Sequence, residues 1–437
     1  MDVSDLADLY GNELHISQIA KWVRGSARAR DIAKRAQLDS ADGQVIDEHD
    51  QFFRDHKLLL VLFRVSPRSC VACRNPSPKV LGVMPVQRGQ IGRITFSWTS
   101  IPMLYAYVFY VVTSVLVVLV GYERFDILLN KSKKFDEYIY SIIFIIYLIP
   151  HFWVPFVGWG VAYEVCDYKN SWGTFQLHYY KITGKNLQFP LLSTLIIVIS
   201  LGCLILAVVF LLTLSALLDG FTLYHTTAYL HIITMINMNC ALWYINCRAI
   251  GNASTALAES FQNDIEHNCC AYIVAHYRVL WLSLSELLQK LGNAYARTYS
   301  TYSLFMMTNI TVAVYGFTSE IVDHGIRFSF KEIGLLVDAT YCLLLLFVFC
   351  DCSHQASLRI SKKVRVSLMQ VNLTTVDPAT RKEIELFLTA IQMNPPKVSL
   401  KGYTVVNREL ITASVATIAI YLIVLLQFKI SLVNMRG

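Results

Sequence analysis

Residues 101–121 read IPMLYAYVFYVVTSVLVVLVG, a run of 21 residues without a single charge. A helix needs about 20 predominantly apolar residues to cross the hydrocarbon core of a bilayer. Similar runs recur along the chain, and this first one sets the scale for reading them. The spans expected are 101–121, 138–160, 190–217, 222–247, 301–322, 332–352 and 409–428. Composition agrees: 55% of the 437 residues are hydrophobic and only 16% charged, against about 25% charged in a soluble domain. Mean hydropathy is +0.46. The fourth and fifth spans are the least apolar, carrying His225, His231, Asn237, Asn239 and Asn309. Polar groups of that kind face a bundle interior or a wet cavity.

The distribution of positive charge sets the orientation. Of the 38 Lys and Arg, 30 fall in the N-terminal region and the loops after spans two, four and six. The N-terminus is therefore expected in the cytoplasm, and an odd number of spans leaves the C-terminus outside. Residues 1–50 are polar, so no cleavable signal is expected and the first span must direct insertion. A G-protein-coupled receptor would have the opposite orientation. Neither an Asp-Arg-Tyr triplet after span three nor an Asn-Pro-x-x-Tyr in span seven is present. The net charge of +7 follows from the inner-side bias and calls for no nucleic acid.

The fold class expected is an all-α membrane protein with seven transmembrane helices and a cytoplasmic helical anchor layer. Its parts would be a cytoplasmic region 1–100, spans one to four in 101–250, a helical extension 251–300, spans five and six in 301–352, an anchor loop 353–407 and a final span with a short outer tail in 408–437. In 251–300, Leu257, Phe261, Ile265, Ile273, Tyr277, Leu280, Leu284, Leu287 and Leu291 keep helical spacing without a proline. The spacing predicts span four continuing as an amphipathic helix, turning near Gly292 and returning into span five. Residues 380–393 predict a second amphipathic helix, opened by Asp377-Pro378, closed by Pro395-Pro396 and buried through Ile384, Phe387, Leu388 and Ile391. Such a layer caps one subunit or joins several, and the second reading is favoured. Residues 66–80, SPRSCVACRNPSPKV, interrupt two apolar segments with three prolines and cannot continue a helix. They read as an insertion.

Chemistry of the enzymatic kind has no signature here: no nucleophile elbow, phosphate loop, HExxH or carboxylate pair is present. CVAC (70–73) and CDCSH (350–354) lack a second pair at zinc spacing, so no metal or other cofactor is expected. The eleven cysteines fall mostly in spans or cytoplasmic loops, where thiols stay reduced. Asn252, Asn309 and Asn372 match glycosylation acceptors, but the topology places them inside or within the membrane.

The last span carries IYLIVLLQF at 420–428. At 100° per residue, Gln427 shares a sector with Ala413, Ala416, Thr417, Ile420, Val424 and Ser431. Leu410, Leu422, Leu425 and Leu426 lie opposite, and Tyr421 and Phe428 flank the polar sector. A narrow strip of small and polar residues serves either close helix packing with an interhelical hydrogen bond or a pore wall. The residues leave both open.

YLIVLLQF resembles the C-terminal signature of insect gustatory receptors, Thr-Tyr, five apolar residues and Gln-Phe. Tyr421, Gln427 and Phe428 match it, and Ile420 stands where threonine is usual. FFRDHKLLLVLFRV (52–65), GRITFSW (92–98), VGYER (120–124), PHFWVPFVGWG (150–160), NMNCALWYINCR (237–248), LGNAYARTYSTY (291–302) and GYTVVNRELITASVATIAIYLIVLLQFKIS (402–431) are similar to the carbon dioxide receptor branch of that family. The resemblance covers nearly everything after about residue 50 except 66–80. It implies a seven-span, ligand-gated cation channel that assembles as a tetramer of related subunits in the plasma membrane of chemosensory neurons. Four copies of span seven would line the pore, with Val424, Gln427 and Phe428 at its gate and the cytoplasmic helices as the main anchor. The implied ligand is carbon dioxide or bicarbonate. Candidate pocket residues in the outer half of the bundle are His225, Tyr229, His231, Tyr315, Glu320, Asp338 and Tyr341. The runner-up is a receptor for a sugar or other small tastant, for which His151, Trp153 and Trp159 would be the platform. A transporter is third, since no internal repeat is visible.

Overall fold

The computed structural model describes residues 87–88, 93–129, 135–189, 192–217, 223–325, 330–374 and 376–436. The insertion read at 66–80, and the rest of 1–86, lie outside the described residues. Apart from a two-residue antiparallel pair, β1 (Gln87–Arg88) and β2 (Ile94–Thr95), the architecture is helical. The helices are α1 (Ile101–Leu129), α2 (Phe135–Gly160), α3 (Ala162–Thr183), α4 (Leu192–Leu217), α5 (Leu223–His267), α6 (Ala271–His324), α7 (Phe330–Met369), α8 (Pro378–Met393) and α9 (Arg408–Arg436).

Each expected span lies within one helix or has its described residues there. Five helices are long and apolar enough to cross a membrane by composition: α1, α2, α4, α7 and α9. Spans four and five sit in α5 and α6, which fall outside that set. Both are wrapped by neighbours; Met235, Met238, Trp243, Tyr295, Tyr299 and Met306 are fully buried. A helix shielded from lipid by protein can carry the polar groups that a lipid-facing helix cannot.

The turn expected near Gly292 is not there. The chain reverses at 268–270, where Cys270 is extended (φ −134°, ψ 154°), and α6 then runs unbroken for 54 residues. Gly292 is instead a contact position. A Cβ built on it would stand 2.5 Å from the Ser399 carbonyl oxygen, in the bridged hairpin that pairs Ser399 with Val405. Glycine lets that backbone close onto α6.

The far ends of α5, α6 and α7 and the whole of α8 pack into one apolar layer. Phe261, Tyr277, Trp281, Leu284, Ile360, Val364, Ile384 and Phe387 are buried there. The α8 expectation holds closely. Asp377 caps the helix by accepting from the Thr380 amide, Pro378 occupies the first turn, and Ile384, Phe387 and Ile391 are buried. Leu388 is half-buried against the same core. Trp281 Nε1 donates to the Ile360 carbonyl at 3.0 Å, and Arg278 bridges to Glu383 at 3.2 Å.

Helix α3 had no counterpart in the span pattern, because it is polar overall. It ends at Gly184, whose positive φ of 64° lets its amide bond the Tyr180 carbonyl. Trp172, Phe175 and Tyr179 bury one side, and the Tyr168 hydroxyl donates to Asn246 of α5 at 3.1 Å. Asn170 on α3 exchanges two hydrogen bonds with the backbone of Ile94, at 2.9 and 3.0 Å, and so fixes β2.

Candidate functional site

Helix α9 lies at the edge of the bundle, packed on α6 and α7 by one side only. Ser414, Ile418 and Lys429 are buried on that side, with Leu410, Leu422 and Leu426 half-buried. Three of the four leucines expected opposite Gln427 therefore turn inward, while Leu425 is exposed. The Gln427 sector points away from the chain's own bundle. Ala413, Ala416, Ile420, Val424, Gln427 and Ser431 are all exposed and Thr417 is half-buried. Tyr421 and Phe428 are 59% and 66% exposed. The alternating burial arises because α9's leucines and Ser414 share the stripe that α6 and α7 cover. Within the chain, Gln427 makes no hydrogen bond to another described residue, so it is not glue between the described helices of this chain.

Lys429 was not singled out from the sequence. Its Nζ donates to the Ser319 carbonyl of α6 at 2.9 Å and also to the Ser319 hydroxyl. A cation buried one residue past Phe428 ties this end of α9 to its neighbour. Its signal was its position: a lone lysine directly after the Gln-Phe pair.

The seven candidate pocket residues do not converge. His225 and Tyr229 stand with the end of α1: His225 Nε2 is 3.0 Å from Glu123 and its Nδ1 is 3.4 Å from the Arg124 guanidinium. That guanidinium lies 4.8 Å above the Phe144 ring, and the Tyr229 hydroxyl donates to the Phe144 carbonyl at 3.2 Å. Arg124 is only 4% exposed.

His231 joins a different group, that of His151. The two imidazoles are 5.6 Å apart, His151 stacks on Tyr110 at 5.1 Å and hydrogen-bonds Ser114 at 2.9 Å. Trp159 packs beside Tyr110 at 5.6 Å, whereas Trp153 is exposed and donates to Thr301. Tyr110, Val111, Ser114, Val115, Val118 and Leu119 line an open, apolar concavity of about 360 Å³ on α1.

Asp338 and Tyr341 of α7 sit in the bundle core. Tyr147 of α2 donates to Asp338 Oδ1 at 2.5 Å and Asn309 of α6 does so at 3.4 Å. The Asn309 amide is also 3.1 Å from Cys342 Sγ. The Tyr341 hydroxyl donates to Asn237 at 2.7 Å while its ring stacks on Phe210 at 4.1 Å. Tyr315 is half-buried on α6, and Glu320 is buried next to Ser319. Tyr147 and Arg124 were the residues that sequence reasoning passed over. Each is a polar group at an apolar segment, which is the signal that would have found them.

Among the described residues no group of three or more His, Cys, Asp or Glu could hold a metal ion. The nine described cysteines are free thiols. Cys70 and Cys73 lie outside the described residues.

Comparison with known proteins bears on this arrangement. A family model described as 7tm Chemosensory receptor matches residues 79–432. The chain is 40% identical to Gustatory and odorant receptor 22 of Anopheles gambiae over 400 residues, 90% of this chain and 82% of that one. It is 38% identical to Gustatory and odorant receptor 21a of Drosophila melanogaster over 413 residues, covering 93% and 87%. Its fold is similar to the insect olfactory receptor OR5 from Machilis hrabei, with a TM-score of 0.53 and 13% identity over 88% of this chain and 99% of that one. The same receptor in complex with eugenol gives a TM-score of 0.51. With its helical bundle and apolar helices, this chain is a multi-pass membrane receptor, not an enzyme, and it belongs to the insect gustatory receptor family.

Proposed function

We propose that the chain is one subunit of a tetrameric, ligand-gated cation channel that responds to carbon dioxide together with related subunits. The observation that carries this is the sector of α9 that its own bundle leaves uncovered. Val424, Gln427 and Phe428 are exposed there beside small residues. In a fourfold assembly this sector lines the central pore. Val424 and Phe428 close it by dewetting, and Gln427 meets cations when it opens. Seven spans cross the plasma membrane of chemosensory neurons with the N-terminus in the cytoplasm and the C-terminus outside. The layer around α8 then lies in the cytoplasm and joins the subunits. Ligand binding among α2 and α4 to α7 shifts the pore equilibrium by binding the open state more tightly.

The carbon dioxide assignment rests on the quoted segments from 52 to 431 that resemble that branch. A sugar or other small tastant is the second reading, favoured by the Tyr110 and His151 stack beside Ser114. Expression alone and with related subunits, recorded during carbon dioxide pulses at clamped pH and bicarbonate, tests the first reading against the second. Current with sugar and none with the gas would reverse their order. Phe428→Ala should raise basal current; an unchanged closed-state leak would remove Phe428 from the gate. Alanine at His225, Tyr229, His231, Tyr315, Glu320, Asp338 or Tyr341 with normal surface level and an unchanged dose response would remove that residue from the ligand site.

A further inference from the structure

The Asp338 cluster has two acceptors for which the packed bundle supplies no donor among the described residues. Asp338 is 2% exposed and Asn309 is fully buried. Both donors that reach the carboxylate, from Tyr147 and Asn309, go to Oδ1. Asp338 Oδ2 and Asn309 Oδ1 have no donor. A carboxylate can accept several hydrogen bonds and an amide oxygen two, so two bare acceptors in one buried cluster are unusual. Both atoms lack the same thing, a positive charge or a proton.

The surroundings do not supply it. Among the described residues no lysine, arginine or histidine acts on Asp338. The titratable groups facing it are Tyr147 from α2 and Cys342 and Tyr341 from α7, with Tyr302 of α6, Cys203 of α4 and Cys240 of α5 beyond Tyr341. None carries a positive charge. A buried carboxylate is held in a protein only when it is paired, neutralised or bound to a cation.

We propose that Asp338 and Asn309 form a binding site for one monovalent cation, a proton or a sodium ion, held between α6 and α7. The donor set fits that charge. It has one carboxylate, one amide oxygen and the Tyr147 hydroxyl, all hard oxygens, short of the six to eight that calcium takes. A proton on Oδ2 turns that bare acceptor into a donor, and a cation in the cluster gives the bare oxygens a partner. The site joins α2, α6 and α7, and α9 packs on the last two. Its occupancy therefore acts on the helices that carry α9, whichever ligand opens the receptor.

The thermal midpoint of the purified receptor in detergent tests this without any channel activity, so its failure is distinct from failure of the proposed function. In one arm sodium replaces choline at fixed pH; in the other pH is lowered with sodium absent. Once the cation exceeds its dissociation constant, each tenfold increase favours the folded state tenfold. The wild type should show that dependence in one arm, and Asp338→Asn, which keeps the shape without the charge, should lose it. Dependence on sodium names the ion, and dependence on pH alone names the proton. A wild type matching Asp338→Asn in both arms would overturn the site. Should Asp338→Asn fail to fold, Asn309→Leu must weaken the same dependence. Infrared difference spectra of the wild type must also show a carboxyl band responding to the cation. Absence of both effects refutes the proposal.

Discussion

Gly292→Ala isolates the seat of the hairpin that leads into α9. In α6, alanine is intrinsically the better helix former by about 1 kcal/mol. The added methyl, however, would stand 2.5 Å from the Ser399 carbonyl oxygen and 3.1 Å from its amide nitrogen, both backbone atoms. Reaching ordinary contact at 3.4 Å requires the hairpin to retreat by about 0.9 Å. It is braced against that retreat: Leu400 and Thr404 are bonded at 2.9 Å, and Val406 donates to Val398 at 2.8 Å. Overpacking against rigid neighbours costs about 1–3 kcal/mol, and here the upper half of that range applies. The net effect is a loss of about 1–2 kcal/mol. Gly251→Ala is the matched control. Its methyl would meet the flexible Arg359 side chain at 3.1 Å, which can swing away, so the helix gain should prevail. Detergent-solubilised receptor, heated and analysed by fluorescence-detected size exclusion, should show Gly292→Ala melting below wild type and Gly251→Ala at or above it. Equal or raised stability of Gly292→Ala would refute the close seating of the hairpin on α6.

Asp377→Ala removes the cap of α8 and should cost about 1 kcal/mol, seen as faster hydrogen exchange in 379–382. Bonds from Thr380 hold the Asp377 carboxyl below its ordinary value of 3.8. The cap's contribution is thus present at neutral pH and is lost as pH falls through that lowered value. Burial lowers the His276 imidazole from its ordinary 6.5. The folded chain then binds fewer protons than the unfolded one, and stability falls as pH drops below about 6.5. His276→Phe should remove that part of the acid sensitivity, and unchanged pH dependence of the melting midpoint would contradict the burial. Lys429→Met breaks the bonds to Ser319, each worth about 1.5–3 kcal/mol for a charged donor. If even one of these bonds differs between the closed and open states, basal current should shift by about tenfold or more; unchanged gating would mean that α9 is held elsewhere.

The chain's solvent was legible in its composition. Runs such as 101–121 leave no other environment for their side chains, and backbone satisfaction in lipid then dictates helices. Periodicity placed α8 to within a few residues because Asp377-Pro378, the i, i+3, i+4 apolar spacing and Pro395-Pro396 are all local signals. The strip around Gln427 was equally local, and so was the identity of the residues on it.

What periodicity cannot give is the neighbour on each face. That α9 turns Ser414 and Ile418 inward and Gln427 outward was decided by α6 and α7, which lie far away in sequence. The seven candidate pocket residues looked alike because each is a polar group at similar depth. The separation of His225 and Tyr229, of His231, and of Asp338 and Tyr341 into three sets came from partners such as Tyr147, 191 residues from Asp338, and Glu123, 102 residues from His225. The turn at 268–270 uses neither glycine nor proline, so it had no signal of its own. Gly292 mimicked one because a glycine marks either a break in the chain or the close approach of another backbone. One sequence reads the same in both cases, and only the position of Ser399 separates them.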